Sequence, residues 1–217
     1  MADNFEIRQC TNPECGLRYP LVNDHPFGVR CPRCLGETLS IHQKELIKEN
    51  HKFPHFRHLP ISGLLDNVRS TWNVGAIFRT ADGFDLEKLF LCGITSTPDK
   101  SSLRKTALGA QNIIPWEYHS NAVTQVTHLK KTGYKIFALE QDERAVSIYS
   151  ISNIEPNPVV LIVGNEISGI DPGLLDLSDQ ILHIPMLGTK KSLNVEVAFG
   201  IALSILHERM ESQSSRN

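Results

Sequence analysis

From residue 61 onward the chain alternates short apolar runs with longer amphipathic segments, and this alternation restricts the fold more than any other feature. ISGLLD, KLFLCGI, YKIFALE, PVVLIVG and ILHIPM read as strands. Between them NVGAIFRTADGF, the stretch near SLRKTALGA and NAVTQVTHLKKTG read as helices; a short DPGLLDL turn and a closing helix from about Leu193 to Met210 follow. Gly83 and Gly133 stand where helix C-caps belong. Strand–helix alternation of this kind makes a mainly parallel sheet covered by helices, an α/β domain over residues 61–211. Ligands in such sheets bind beyond the carboxyl ends of the strands, so the loops after Leu139, Val163 and Ile184 are the places to look. The polar tail, residues 212–217, is expected to fray.

A chain of 217 residues has room for one such core and a small appended module. The module is visible in the cysteines. Cys10-TNPE-Cys15 and Cys31-PR-Cys34 present two thiol pairs on turns, which suits a tetrahedral zinc shell in a ribbon over residues 1–40. Iron takes the same ligand set, but zinc is the expected ion for a structural ribbon. Cys92, in KLFLCG, reads as a buried thiol. Residues 41–60 look like a connection: IHQKELIKEN is helix-compatible, and HKFPHFRHLP is broken by Pro54 and Pro60. His51, His55 and His58, mixed with Lys52, Arg57, Phe53 and Phe56, either contact RNA or simply pack as a linker. No run of 18 apolar residues spans a membrane, and no basic-then-apolar leader opens the chain; the expectation is a cytoplasmic protein. A net charge of −2 argues against nucleic-acid binding through bulk charge, while leaving room for a local basic patch.

Three stretches carry residues that a plain core does not need. In NVGAIFRTAD, Arg79 interrupts an apolar helix, so it either escapes to solvent or serves a pocket. In GNEISGI, residues 164–170, Gly164 allows close backbone approach to a flat ligand, and Glu166, if buried, needs a cation or several hydrogen-bond donors. That loop has neither the dinucleotide glycine fingerprint nor a phosphate-binding loop's Lys-Ser/Thr. In IPMLGTKKSLNVEVAFGIALSIL, Ser192 suits an N-cap, Asn194 falls in the first helical turn, and the helix is apolar on nearly every side. Lys190 and Lys191, with Arg69, Arg79, Arg104 and Lys105, are candidates for a phosphate-facing patch.

Taken in order, LLDNVRSTWNVGAIFRTADGF, VVLIVGNEISGI and IPMLGTKKSLNVEVAFGIAL resemble the SpoU/TrmH branch of the SPOUT methyltransferases, over about residues 61–210. KTALGA and PWEYH also look like that family. The resemblance implies a deep C-terminal trefoil knot and a homodimer with active sites at its interface. It implies S-adenosylmethionine bound by the knot loops, with Leu139, Gly164, Asn165, Ile184, Met186 and Leu193 at cofactor-contacting positions. Asn73, Arg79, Glu166, Ser192 and Asn194 match the polar positions around the transferred methyl. The implied reaction is methylation of a ribose 2′-hydroxyl in RNA, tRNA or rRNA, with Arg79 as general base or as an orienting group. A catalytically inactive knotted RNA-binding protein is the alternative, and a nucleotide-dependent oxidoreductase a more distant one. The cysteine ribbon departs from the family pattern, so no relative's substrate transfers by resemblance.

Overall fold

A computed structural model describes residues 3–22, 29–46, 59–152, 154 and 157–214; His51, His55 and His58 lie outside them. The chain divides into two compact units, Met1–Phe56 and Arg57–Asn217.

The first unit is an antiparallel sheet of β1 (Asp3–Cys10), β2 (Arg18–Val22) and β3 (Thr38–Leu46), with β1 in the middle. β3 corrects the expectation of a linker helix after residue 40: IHQKEL continues a strand, with His42 opposite Ile7 and Lys44 opposite Phe5. So short a segment cannot meet the cost of helix nucleation alone, whereas β1 offers it a ready row of backbone partners.

The second unit holds seven strands: β4 (Ile61–Asp66), β5 (Lys88–Cys92), β6 (Trp116–His119), β7 (Lys135–Leu139), β8 (Val146–Ser147), β9 (Val159–Val163) and β10 (Gln180–His183). Their order is β6-β5-β4-β9-β7-β10-β8, and every pairing is parallel. The five expected strands are all present. β6 and β8 are additions at the two edges, where half-exposed residues such as Glu117, Tyr118 and Val146 blur the apolar signal.

Among the described residues, five α-helices cover the sheet. α1 (Thr71–Gly83), α2 (Ser101–Ala107) and α5 (Val195–Ser214) pack on one face, where Phe78, Leu103 and Phe199 meet Leu65, Leu91 and Leu161. α3 (Ala122–Lys131) and α4 (Pro172–Leu177) cover the other, with Val126 and Leu174 against Leu64, Ile136 and Ile162. Burial on both faces explains why the central strands are continuously apolar rather than alternating. DPGLLDL is thus a full helix, with Asp171 accepting from the Gly173 N–H and Pro172 in the first turn.

Two helix ends differ from expectation. Gly83 is the last residue of α1, and the left-handed position falls on Asp85 (φ 51°); Gly133, at φ 94°, does follow α3 as a C-cap glycine should. At the start of α5 the cap is Asn194, not Ser192: the Asn194 side chain accepts from the Glu196 N–H at 2.9 Å and its carbonyl from the Ala198 N–H at 2.9 Å. Nor is α5 buried all round. Phe199, Ala202, Leu203, Leu206 and Met210 face the core, while Val197 is 44% exposed.

Candidate active site

The carboxyl ends of β7, β9 and β10 open into one cavity of about 380 Å³. Leu139, Gly164, Asn165, Ile184, Met186 and Leu193 line it, so the three loops singled out by their place after buried strands converge. Glu166, Ser192 and Asn194 line the same cavity.

A chain of hydrogen bonds ties its rim together across three distant parts of the sequence. Glu166 accepts from the backbone N–H groups of Arg69 (2.9 Å) and Ser70 (3.0 Å) and from the Asn73 amide (2.9 Å). The Asn73 carbonyl oxygen in turn accepts from the Asn194 amide at 3.1 Å. Partial burial pushes the Glu166 pKa up, but these donors outweigh it and hold the carboxyl below the usual glutamate range. Glu166 is exposed rather than buried, and the donors that hold it are backbone groups at the start of α1 and one amide, not a cation.

Neighbouring groups fix the loop that carries Glu166. The Asn165 amide donates to the Asn67 carbonyl at 2.8 Å, and Asn165 Oδ1 accepts from the Ile167 and Ser168 N–H groups. Asp66, buried at the end of β4, accepts from the Asp171 N–H at 3.0 Å and from the Asn67 amide at 2.7 Å. Burial raises its pKa against those bonds. Cys92 is fully buried nearby, its thiol pushed up to about 12 by burial and by the Asp66 charge, as an unreactive core cysteine should be.

Gly164 lines the cavity and has a further, structural reason to be glycine. A Cβ there would meet not ligand space but the Gly169 backbone and the Ile170 nitrogen, the latter at 2.5 Å. The loop folds back on its own strand through paired Asn165–Gly169 backbone bonds of 3.0 Å, and only glycine fits beneath that turn.

Sequence reasoning also missed Glu140, Gln141 and His183, which line the cavity. Glu140 accepts from the Ile170 N–H at 2.9 Å and the Gln141 N–H at 2.8 Å, joining the β7 loop to the β9 loop. Its signal was present as a carboxylate placed directly after a buried strand, much as Asp66 closes β4.

Arg79 stands apart. It is exposed on α1 and does not line the cavity, whereas Asn73, six positions earlier, turns toward Glu166. Spacing anticipates this separation, because six residues rotate a helix by about 600°. Asn73 itself lies inside α1, with Ser70 as the cap. Arg69, Arg104, Lys105, Lys190 and Lys191 are all exposed; Arg104 donates to the Pro98 carbonyl at 2.9 Å.

In the first unit, the ligand atoms of Cys10, Cys15, Cys31 and Cys34 all lie within 4.8 Å of one another. The Cys10–Cys34 and Cys15–Cys31 sulfur pairs are 3.4 and 3.6 Å apart. A tetrahedron with Zn–S bonds of about 2.3 Å requires sulfur separations near 3.8 Å, so the set fits a metal with little adjustment. Burial opposes ionisation of Cys31, but backbone N–H groups of Cys34 and Arg33 help pull its thiol down to about 6.

The chain belongs to the SpoU rRNA Methylase family, whose model matches residues 61–204. It is 32% identical over 139 residues to a tRNA (guanosine(18)-2′-O)-methyltransferase of Aquifex aeolicus, covering 64% of each chain. It is 33% identical over 138 residues to the 23S rRNA (guanosine(2553)-2′-O)-methyltransferase RlmP of Bacillus subtilis, covering 64% of this chain and 54% of that one. The match therefore spans less than two thirds of these relatives' length. Among solved structures, the A. aeolicus TrmH/SpoU tRNA modifying enzyme superposes with a TM-score of 0.65 at 28% identity, covering 73% of this chain and 79% of that one. An AdoMet-bound rRNA methyltransferase from Sinorhizobium meliloti gives 0.66 at 27% identity, covering 72% and 59%.

Proposed function

We propose that this chain transfers the methyl group of S-adenosylmethionine to a ribose 2′-hydroxyl of tRNA or rRNA, acting in the cytoplasm as a homodimer. The observation that carries the reading is the Glu166–Asn73–Asn194 chain set on the rim of the cavity. The cavity has the size of a small-molecule site, and its apolar lining from Leu139, Ile184 and Leu193 suits a flat heterocycle. When bound, the donor supplies an electrophilic methyl, and the protein's task is alignment and electrostatics.

The residues divide that task. Glu166 is ionised, but its oxygens already receive three donors; it holds Asn73 and the α1 start rather than collecting a proton. Asn73 orients Asn194, which also caps α5. Ser192 contributes a hydroxyl to the lining and is suited to contact the ribose. Arg79 lies outside its own chain's cavity, so we assign it to the partner protomer's site, where a guanidinium can grip a phosphate and stabilise the oxygen as its proton leaves. A guanidinium carries donors and no acceptor, so it suits orientation and charge stabilisation rather than proton removal. Exposed Trp72 on α1 and Val197 on α5 support the dimer, since each leaves apolar area uncovered. β10 lies between β7 and β8 although it follows β9, an order that supports the implied knot. Zinc held by Cys10, Cys15, Cys31 and Cys34 completes the reading as a structural ion.

The test is transfer of labelled methyl from S-adenosylmethionine to RNA, with nuclease digestion to locate the label on ribose. Arg79→Lys should keep donor affinity yet lose about 10²–10³ in rate, as for a lost transition-state hydrogen bond. Leu193→Asp should weaken donor binding itself. RNA binding without donor binding in the unmodified protein would replace this reading with that of an inactive RNA-binding protein.

A further inference from the structure

The two sides of the sheet β2-β1-β3 have different chemistry. Residues directly opposite in an antiparallel sheet share a side. One side therefore carries three rows: Arg18–Gln9–Leu39, Pro20–Ile7–His42 and Val22–Phe5–Lys44. The other side carries Glu6, Arg8, Tyr19, Leu21, Thr38, Ser40 and Gln43. The β-bulge after Ile7 takes up Ile41 and keeps this division intact across β3.

The second side is satisfied internally. Arg8 donates to Glu6 at 2.6 Å, to the Thr38 hydroxyl at 2.8 Å and to the Thr38 carbonyl at 2.9 Å. Glu6 also bonds the side chains of Ser40 and Gln43, and these contacts hold its carboxyl below the usual range despite the cost of desolvation. Tyr19 donates to the Arg30 carbonyl at 3.2 Å.

The first side is not. Arg18, His42 and Lys44 are exposed and pair with no other described residue; beyond these three rows the register on this side continues to Asp3 opposite Leu46. Between these edge cations lie Phe5 and Ile7, half-buried, with Val22 50% and Leu39 63% exposed. The arrangement is an apolar strip with one cation on each edge, Arg18 on β2 and Lys44 on β3, and the His42 imidazole beside it as a hydrogen-bonding group.

We propose that this side of the ribbon is a docking surface for single-stranded or loop RNA. Phosphates meet Arg18 on one edge and His42 and Lys44 on the other, and an unstacked base lies on Phe5 and Ile7. Charge complementarity selects this occupant. A polyanion with exposed ring faces matches both Arg18 and Lys44 and the strip, whereas a purely apolar protein partner would leave those two cations facing it unpaired. The choice of RNA rests on the methyltransferase reading above, but the surface is separate from the donor cavity.

The experiment uses the full-length protein and a short fluorescently labelled single-stranded RNA of mixed sequence. The variant combines Arg18→Gln, His42→Gln and Lys44→Gln, all at exposed positions. RNA affinity should fall by about tenfold or more at low salt. The slope of log K against log salt should flatten by about 1.4, the share of two lost Arg/Lys–phosphate contacts on a single strand. Metal content and donor affinity should not change, which excludes misfolding as the cause. Unchanged RNA affinity and salt slope would overturn the proposal while leaving a methyltransferase that still binds donor intact. Unchanged RNA affinity with a loss of mass by light scattering would overturn it in favour of an interface between copies of the chain. Failure of donor binding in the unmodified protein would instead strike the methyltransferase reading.

Discussion

The two units of this chain are held together by different physics. In the second, both faces of a parallel sheet are covered, and strands such as β9 are buried at every position. In the first, the described residues that are buried are Cys10, Cys31 and Thr38 alone. A sheet with two open sides gains little from apolar burial, and a module of this size ordinarily needs a staple. The four thiols stand where the missing core would be, and the comparison teaches that ligand geometry substitutes for volume.

The largest expected effect exploits that contrast. Stripping the proposed metal with a chelator should unfold the first unit, because structural zinc in such modules contributes about 10–16 kcal/mol of apparent binding energy. Thermal unfolding of the second unit should keep its midpoint, and amide exchange should rise within Asp3–Leu46 and not in β4 or β9. Purified protein should carry about one metal per chain. Persistent protection of β1 after chelation, or a disulfide among these cysteines, would break the comparison.

Legibility in the sequence follows the same divide. ISGLLD, KLFLC, KIFAL, VVLIV and QILH are legible because strands buried on both faces become unbroken apolar runs. β1 and β3 are not, because DNFEIRQC and TLSIHQKEL mix polar and apolar residues on a sheet open on both sides. In the site, the position of loops after strands pointed to the strand ends at Leu139, Val163 and Ile184, and the family resemblance supplied Gly164, Met186 and Leu193; all of them line one cavity. What spacing cannot give is a partner distant in sequence. The bond between Glu166 and Asn73 crosses from the β9 loop to α1, and the contact of Gly164 with its own turn depends on a fold-back that no periodicity encodes. Arg79 was legible as anomalous, and its separation from Asn73 followed from helix geometry.

A second, smaller effect compares glycines. Gly164→Asn should destabilise the second unit by about 1–3 kcal/mol or more, because the new side chain must displace backbone in a packed interior. Gly16 sits in the first cysteine knuckle at φ 52°, with open space where a Cβ would go. Gly16→Asn should cost only a few tenths of a kcal/mol, since asparagine accepts the left-handed region. Denaturant titration resolves the two. Equal costs would mean that the ribbon is packed as tightly as the sheet domain.

The smallest effect concerns charge at the rim of the cavity. Glu166→Gln keeps the shape but turns one acceptor oxygen into a donor facing the N–H groups of Arg69 and Ser70 or the Asn73 amide. The cost at neutral pH should be about 1 kcal/mol, at the low end for a charge-assisted bond because Glu166 is exposed and solvent screens it. The pH dependence has a fixed sign. A carboxyl whose folded pKa is depressed contributes its stability above its unfolded value and loses it as pH falls through the folded value. The gap between wild type and Glu166→Gln should therefore be constant above pH of about 5 and close as pH drops below about 4. Metal content should match in both proteins at neutral pH, since the substitution touches only the second unit. A gap that widened on acidification would mean that Glu166 is held protonated, and the hydrogen-bond chain through Asn73 to Asn194 would have to be drawn with the opposite polarity.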